Sequence, residues 1–331
     1  MNNLRKVAII GSGMVGSAIS FSLMQGGLFE EIAMIDIDFE RAAGETMDIG
    51  HGIPYVQPVH IWYGDYKDTS DADIVIVTAG SNQSVGESRN DLVGGNAMIV
   101  KSVVKAVLRN GFRGIFLIVT NPVDVMTYIT AKTICEFNEN NDAYFDPRHV
   151  IGSGTVLDTA RLKYLLCEKI KISSENINAF IMGEHGDSEI IAWKSANVAG
   201  VPLKEFCSYL CNGSTEEGKS CECEDVKSEI LEEVRNSAYE IIKRKSVTNY
   251  GIATAVSRIC TAIIRDEREI LSVTSLLDGE YGIKDVCLSI PSIVGAEGIL
   301  GKLPIPLSHE EERSLRNSAN VIKAVIDELE L

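Results

Sequence analysis

The chain has 331 residues, 45% of them hydrophobic and 24% charged, the composition of a soluble globular protein large enough for two domains. A formal net charge of −16 repels polyanions, which argues against nucleic acid or an anionic membrane as a partner; an anionic substrate would need its own local arginines. No stretch has the length of a transmembrane helix, and eight scattered cysteines point to reduced thiols in the cytoplasm.

Lys6 to Ile10 is a short apolar run of the kind expected for a strand buried on both faces of a parallel sheet. It leads into Gly11-Ser12-Gly13-Met14-Val15-Gly16 and a helical segment from Ser17 to Gln25. A second run, Ile32 to Ile35, ends at Asp36, 20 residues after Gly16. Strand, glycines and acid together form a dinucleotide-binding fingerprint. In it Gly11 permits the turn, Gly13 lets a pyrophosphate approach the backbone, and Gly16 lets helix and strand pack closely. Asp36 can accept hydrogen bonds from a ribose and would repel a 2′-phosphate, which favours NAD over NADP. A glycine-rich turn that binds nothing is the competing reading.

The alternation continues with strands at 59–63 and 72–78, a helix at 92–108, a strand at 115–119 and a helix at 123–135. This pattern predicts a doubly wound parallel sheet over residues 1–147, with ligands beyond the carboxyl ends of its strands. The polar segment 81–91 follows a strand and could act as a lid. Its Arg89 sits at a helix start, where the helix dipole disfavours a cation, and this leans the reading toward function.

After Asp146-Pro147 the regular alternation stops, and a second region, 148–331, is expected to begin. Gly152-Ser153-Gly154-Thr155 opens a helix at 156–166. It places Asp158 and Arg161 on nearly one face, either as a surface ion pair or as functional groups. A strand at 179–182 delivers Gly183-Glu184-His185-Gly186-Asp187, and a helix is expected from Ile190. Taken alone, this pentapeptide reads equally as a polar turn or as a proton-transfer site. Helices are expected at 231–242 and 252–264, with two strands near 270–290. A capping box at Ser308–Glu311 opens a final helix. Cys207, Cys211, Cys221 and Cys223 lack a usual zinc spacing and read as incidental thiols in a surface loop, so no metal is expected.

In combination, GSGMVG at 11–16, Asp36, NQSVGESR at 82–89, TNPVD at 120–124, GSGTVLDTAR at 152–161 and GEHGD at 183–187 resemble the lactate/malate dehydrogenases over nearly the whole chain. The resemblance implies a Rossmann NAD-binding domain followed by an α+β substrate-binding and catalytic domain. It also implies His185, Asp158 and Arg89 as catalytic residues: His185 exchanges the proton, Asp158 orients it, and Arg89 polarises the ketone. Arg161 would clamp the substrate carboxylate, and Asn121 and Thr248 would line the substrate pocket. Cofactor contacts are implied for Gly11, Gly13, Met14, Val15, Gly16, Asp36, Tyr66, Gly80, Ser81, Ser102, Asn121 and Ser153.

Gln83 separates the substrates of this family. Malate-specific members carry arginine there, to meet the second carboxylate of oxaloacetate. A buried arginine beside the methyl group of pyruvate would be an unpaired charge. Neutral Gln83 therefore implies reversible reduction of pyruvate to L-lactate, with a related 2-hydroxy acid, malate or a branched one, as the alternative. Bacterial relatives that respond to fructose bisphosphate use an arginine and a histidine at the positions of Lys163 and Asn178, so that effector lacks its full pattern here. The family resemblance also implies a homotetramer.

Overall fold

The computed structural model describes residues 5–81, 89–140, 144–206 and 223–329. The first half alternates β1 (Lys6–Ile10), α1 (Met14–Gly26), β2 (Glu31–Ile35), α2 (Phe39–Gly50), β3 (His60–Tyr63), β4 (Ile74–Val77), α3 (Arg89–Arg109), β5 (Ile115–Ile118), α4 (Val123–Asn140) and β6 (Val150–Gly152). These six strands pair in parallel in the spatial order β3-β2-β1-β4-β5-β6. The order reverses between β1 and β4, so a crevice opens beyond their carboxyl ends.

The apolar runs form strands because helices cover both faces of the sheet. Alternate residues of β1, β4 and β5 point into two different cores. Ala8, Val75 and Phe116 pack with α3 and α4, while Ile9, Ile76 and Leu117 pack with α1. Each such Val, Ile, Leu or Phe side chain contributes about 1.5–3 kcal/mol when fully buried.

Residues beyond 152 build α5 (Val156–Ile170), β7 (Ile177–Asn178), β8 (Ile181–Met182), β9 (Ile190–Ile191), β10 (Asn197–Val198), β11 (Val201–Pro202), α6 (Cys223–Lys245), α7 (Tyr250–Ile264), β12 (Glu269–Asp278), β13 (Lys284–Gly295), β14 (Gly298–Lys302) and α8 (His309–Glu328). β12 to β14 are antiparallel and join the main sheet where Thr274 of β12 pairs with Gly152 of β6, giving nine strands in one sheet. Packing also crosses the expected division of the chain: Ser22 of α1 and Ser257 of α7 share a hydrogen bond at 2.8 Å.

Several elements differ from the sequence expectation. Ile190-Ile191 is a strand antiparallel to β8, not the start of a helix, because both side chains are buried there. The run at 179–182 contributes only β8; residues 177–178 belong to a separate small sheet. A sixth parallel strand, β6, follows residue 147, and a third antiparallel strand, β14, follows the hairpin. Helix α2 buries only Ala42, Thr46 and Ile49, too thin an apolar stripe to stand out in the sequence. The final helix has both capping-box bonds, Ser308 Oγ accepting from Glu311 N–H and Glu311 from Ser308 N–H.

Candidate active site

The crevice is built first from glycines. Gly11 has φ of +108°, and a methyl group there would lie 2.7 Å from the Ala79 nitrogen. A methyl group on Gly16 would lie 1.9 Å from the Gly11 carbonyl oxygen, so helix α1 can approach β1 this closely only without a side chain. Gly13 differs: nothing lies within 4 Å of the same position, and the space is open. Thr78, just after β4, donates to the Gly11 carbonyl at 2.8 Å and ties the two strand ends together across the order reversal.

The residues around this turn fit a dinucleotide. Asp36 is half-buried after β2 and accepts from the Ser12 N–H at 2.5 Å and the Asp38 N–H at 2.9 Å. The buried Ser12 hydroxyl has no hydrogen-bond partner among the described residues, an orphan donor at the start of α1 where an anion is favoured. Met14 is exposed and Val15 half-buried on the first turn of α1. Tyr66 lies close enough to Asp36 that burial and then that charge push its phenol pKa upward.

On the other side of the crevice, Asn96 bridges Ser81, which follows Gly80, and Asn121. Its Oδ1 accepts from the Ser81 N–H at 2.8 Å, and its Nδ2 donates to the Asn121 carbonyl at 3.0 Å. Asn96 was not singled out in the sequence, although a polar residue on the apolar face of α3 was a visible signal. The Asn121 side chain is exposed, and Ser153 is buried after β6. Ser102 is exposed on α3, about 9 Å of helix beyond Asn96. It is set apart from the loop at 79–81.

The second group of residues surrounds His185. Helix α5 carries Asp158, whose side chain is 3% exposed and whose two oxygens serve different partners. Oδ2 meets His185 Nδ1 at 2.6 Å, and Oδ1 accepts from Arg161 Nη1 at 2.8 Å. Asp158 and Arg161 are therefore no surface pair. With Nδ1 engaged, Nε2 is the ring nitrogen with no hydrogen bond among the described residues, on a side chain 27% exposed.

Electrostatics follow from this geometry. The Asp158 charge outweighs the desolvation of the imidazole, and His185 is pushed up to about 9. Burial opposes ionisation of Asp158, but His185 and Arg161 outweigh it and hold the carboxyl below its ordinary range. Two further acids lie in the cluster. Asp124 is fully buried at the start of α4, is pushed up to about 6 by burial, and accepts the His185 N–H at 2.8 Å. Glu189 is buried, feels Asp158, His185, Arg235 and Arg161, and is pushed up to about 8, chiefly by desolvation. Neither was assigned a role from sequence. Asp124 stands in the quoted TNPVD motif, which was its only signal.

Thr248 is half-buried just ahead of α7, with no hydrogen bond to the His185 cluster among the described residues. Arg89 begins α3, but its side chain lies outside the described residues, as do Gln83, Cys207, Cys211, Cys221 and the side chain of Cys223. Lys163 lies over the Phe180 ring at 5.9 Å, and burial lowers its pKa; Asn178 donates to Asn197 Oδ1 at 3.2 Å. Among the described residues no helix is long and apolar enough to cross a membrane, and no group of three or more His, Cys, Asp or Glu could hold a metal.

Comparison with known proteins identifies the family. A family model for the lactate/malate dehydrogenase NAD-binding domain matches residues 5–141, and one for the lactate/malate dehydrogenase alpha/beta C-terminal domain matches residues 155–330. An L-lactate dehydrogenase of Acetivibrio thermocellus is 46% identical, with all of both chains covered. L-lactate dehydrogenase 1 of Clostridium acetobutylicum is 45% identical over 99% of this chain and 100% of its own. The solved structure of a minor L-lactate dehydrogenase from Enterococcus mundtii in its ligand-bound form superposes with a TM-score of 0.90 at 36% identity, covering 99% of each chain. With a glycine turn that fits a dinucleotide, a paired histidine and full-length relatives of this kind, the chain belongs to the lactate/malate dehydrogenase family and is an NAD-dependent oxidoreductase.

Proposed function

We propose that the chain is an L-lactate dehydrogenase that reversibly reduces pyruvate to L-lactate, with His185 as the proton donor. Bound NADH supplies the hydride. The observation that carries the reading is the single buried carboxylate of Asp158 shared between His185 and Arg161. It joins a proton donor and a carboxylate-binding cation in one rigid unit. His185 holds its proton at neutral pH because of Asp158 and offers it through Nε2 to the oxygen of the substrate ketone. Arg161 has N–H groups left after serving Asp158, and these grip the substrate carboxylate. Arg89 steadies the alkoxide that develops on the ketone oxygen, and Asn121, Gln83 and Thr248 shape the pocket around the methyl group.

The cofactor is held by Gly11, Gly13, Met14, Val15, Gly16, Asp36 and Tyr66 on the adenosine side. Gly80, Ser81, Asn121 and Ser153 contribute nearer the nicotinamide, and Ser102 takes a peripheral part. Residues 1–147 form the NAD-binding domain, which also brings Gln83, Arg89 and Asn121 to the substrate, and residues 148–331 form the substrate-binding and catalytic domain, which adds Ser153 on the cofactor side; one sheet runs through both. The enzyme works as a homotetramer, as its family resemblance implies, and in the cytoplasm, in keeping with its scattered cysteines.

The test is NADH oxidation with pyruvate, oxaloacetate and 2-ketoisocaproate in parallel. Pyruvate should be preferred by at least tenfold in kcat/KM, and Gln83→Arg should move the preference toward oxaloacetate. Turnover of none of the three would overturn the reading, and a preference for 2-ketoisocaproate would transfer it to branched 2-hydroxy acids.

A further inference from the structure

The residues between helices α6 and α7, 246–249, carry Thr248, and they are held in an unusual way. Ser246 follows α6 with a φ of +68°, the left-handed conformation in which helix ends favour glycine. Asn249 stands at the N-cap of α7, where an asparagine side chain ordinarily accepts a hydrogen bond from the first turn of the helix. It makes no such bond. Its Oδ1 instead accepts from the ammonium of Lys245, the last residue of α6, at 2.6 Å. The same ammonium lies 4.0 Å from the centre of the ring of Tyr250, the first residue of α7.

One cation therefore spans the turn, through a charge-assisted hydrogen bond and a cation–π contact. Asn249 is buried while Lys245 and Tyr250 are exposed, so this clamp reaches from the surface into the turn. The next residue meets α5: a methyl group on Gly251 would lie 3.0 Å from Leu157 Cδ1, and Leu157 adjoins Asp158. The stretch is thus fastened to Lys245 at one end and rests at the other on the helix that presents Asp158 and Arg161. Without the cation, the Asn249 side chain is free to cap α7 and Ser246 is free to leave the left-handed region. Both are local gains, and Thr248 lies between them.

We propose that Lys245 is a positioning residue which, through Asn249 and Tyr250, fixes the turn bearing Thr248 and so sets how large a ketoacid side chain the pocket accepts. The inference rests on the reading of Thr248 as a residue of the substrate pocket. Lys245 itself touches no substrate; it acts by keeping Asn249 from its cap and Ser246 in its left-handed conformation. The neighbouring cations differ from it. Lys243 and Arg244 pair with Glu240 on their own helix, at 4.0 and 3.1 Å, and make no bridge to α7 among the described residues.

The experiment measures kcat and KM for pyruvate and for 2-ketobutyrate, which is one methylene longer, in the wild type, Lys245→Met and Lys243→Met. Methionine keeps an unbranched stem and removes the cation. Lys245→Met should raise KM for pyruvate about fivefold or more while kcat stays within about threefold, the pattern of a lost positioning contact and not of lost chemistry. The preference for pyruvate over 2-ketobutyrate in kcat/KM should fall about fivefold, because a loosened turn discriminates one methylene less well. Lys243→Met should match the wild type in both. An unchanged KM and preference in Lys245→Met, or an equal loss in Lys243→Met, overturns the proposal. Thr248→Ala is the control for the underlying reading. If it leaves KM and preference at their wild-type values, Thr248 does not line the pocket and the inference falls with that assignment. If it changes them while Lys245→Met does not, the clamp alone is wrong.

Discussion

The glycine turn after β1 and the cluster around His185 are built on opposite principles. The turn is local: Gly11, Gly13, Gly16 and Asp36 lie within 26 residues, and what they need is absence of side chains and one acid after the next strand. The His185 cluster draws Asp124, Asp158, Arg161, His185, Thr274 and Ser289 from five separate segments and holds them by long-range hydrogen bonds. The first should therefore fail one residue at a time, by collision with the protein at Gly11 and Gly16 and with the cofactor at Gly13. The second should fail electrostatically, with each member changing the protonation of another.

His185→Ala tests the cluster at its centre. Loss of the proton donor should lower kcat for pyruvate on the order of 10²–10⁴-fold, with NADH affinity, measured by fluorescence titration, changed by no more than about threefold. Asp158→Asn should follow in size. It removes the charge that keeps the imidazole protonated and leaves Arg161 without its buried counter-charge, so kcat/KM at neutral pH should fall on the order of a hundredfold or more. The His185 titration should move down toward its ordinary range, and wild-type activity in this variant would contradict a shared electrostatic unit.

The glycines offer the opposite signature. Gly16→Ala forces a methyl group into the Gly11 carbonyl and should cost about 1–3 kcal/mol of stability, read as a lower midpoint in denaturant. Gly13→Ala meets no protein atom and should leave that midpoint nearly unchanged. It should weaken NADH binding instead, because the open space is where a pyrophosphate would approach. If both variants lost stability equally, the different roles given to these two glycines would be mistaken.

The same contrast explains what could be read from the sequence. The four-residue runs Ile74–Val77 and Ile115–Ile118 are apolar throughout because helices cover both faces of the sheet, and such runs are visible without a structure. The cap of the last helix was legible too, since Ser308 and Glu311 are three residues apart. Strand β6 was not, because three residues carry no periodicity, and Ile190-Ile191 resembled a helix start only because a buried strand of two residues has no pattern of its own. The proximity of His185 and Asp158 entered through family resemblance, for nothing in their spacing of 27 residues demands it. Asp124 and Glu189 escaped notice for a related reason: burial of an acid is decided by what folds over it. Substrate-side Gln83 and Arg89 gain nothing further, as their side chains lie outside the described residues.

In the proposed reaction Asp158 raises the pKa of His185 so that a protonated imidazole meets pyruvate. A raised pKa means that the competent form is present below about 9 and is lost above it. The direct measurement is kcat/KM for pyruvate against pH at saturating NADH. It should hold a plateau through neutral pH and then fall tenfold per pH unit above a midpoint near 9. A fall centred near 6.5, where an unassisted histidine titrates, would contradict the account.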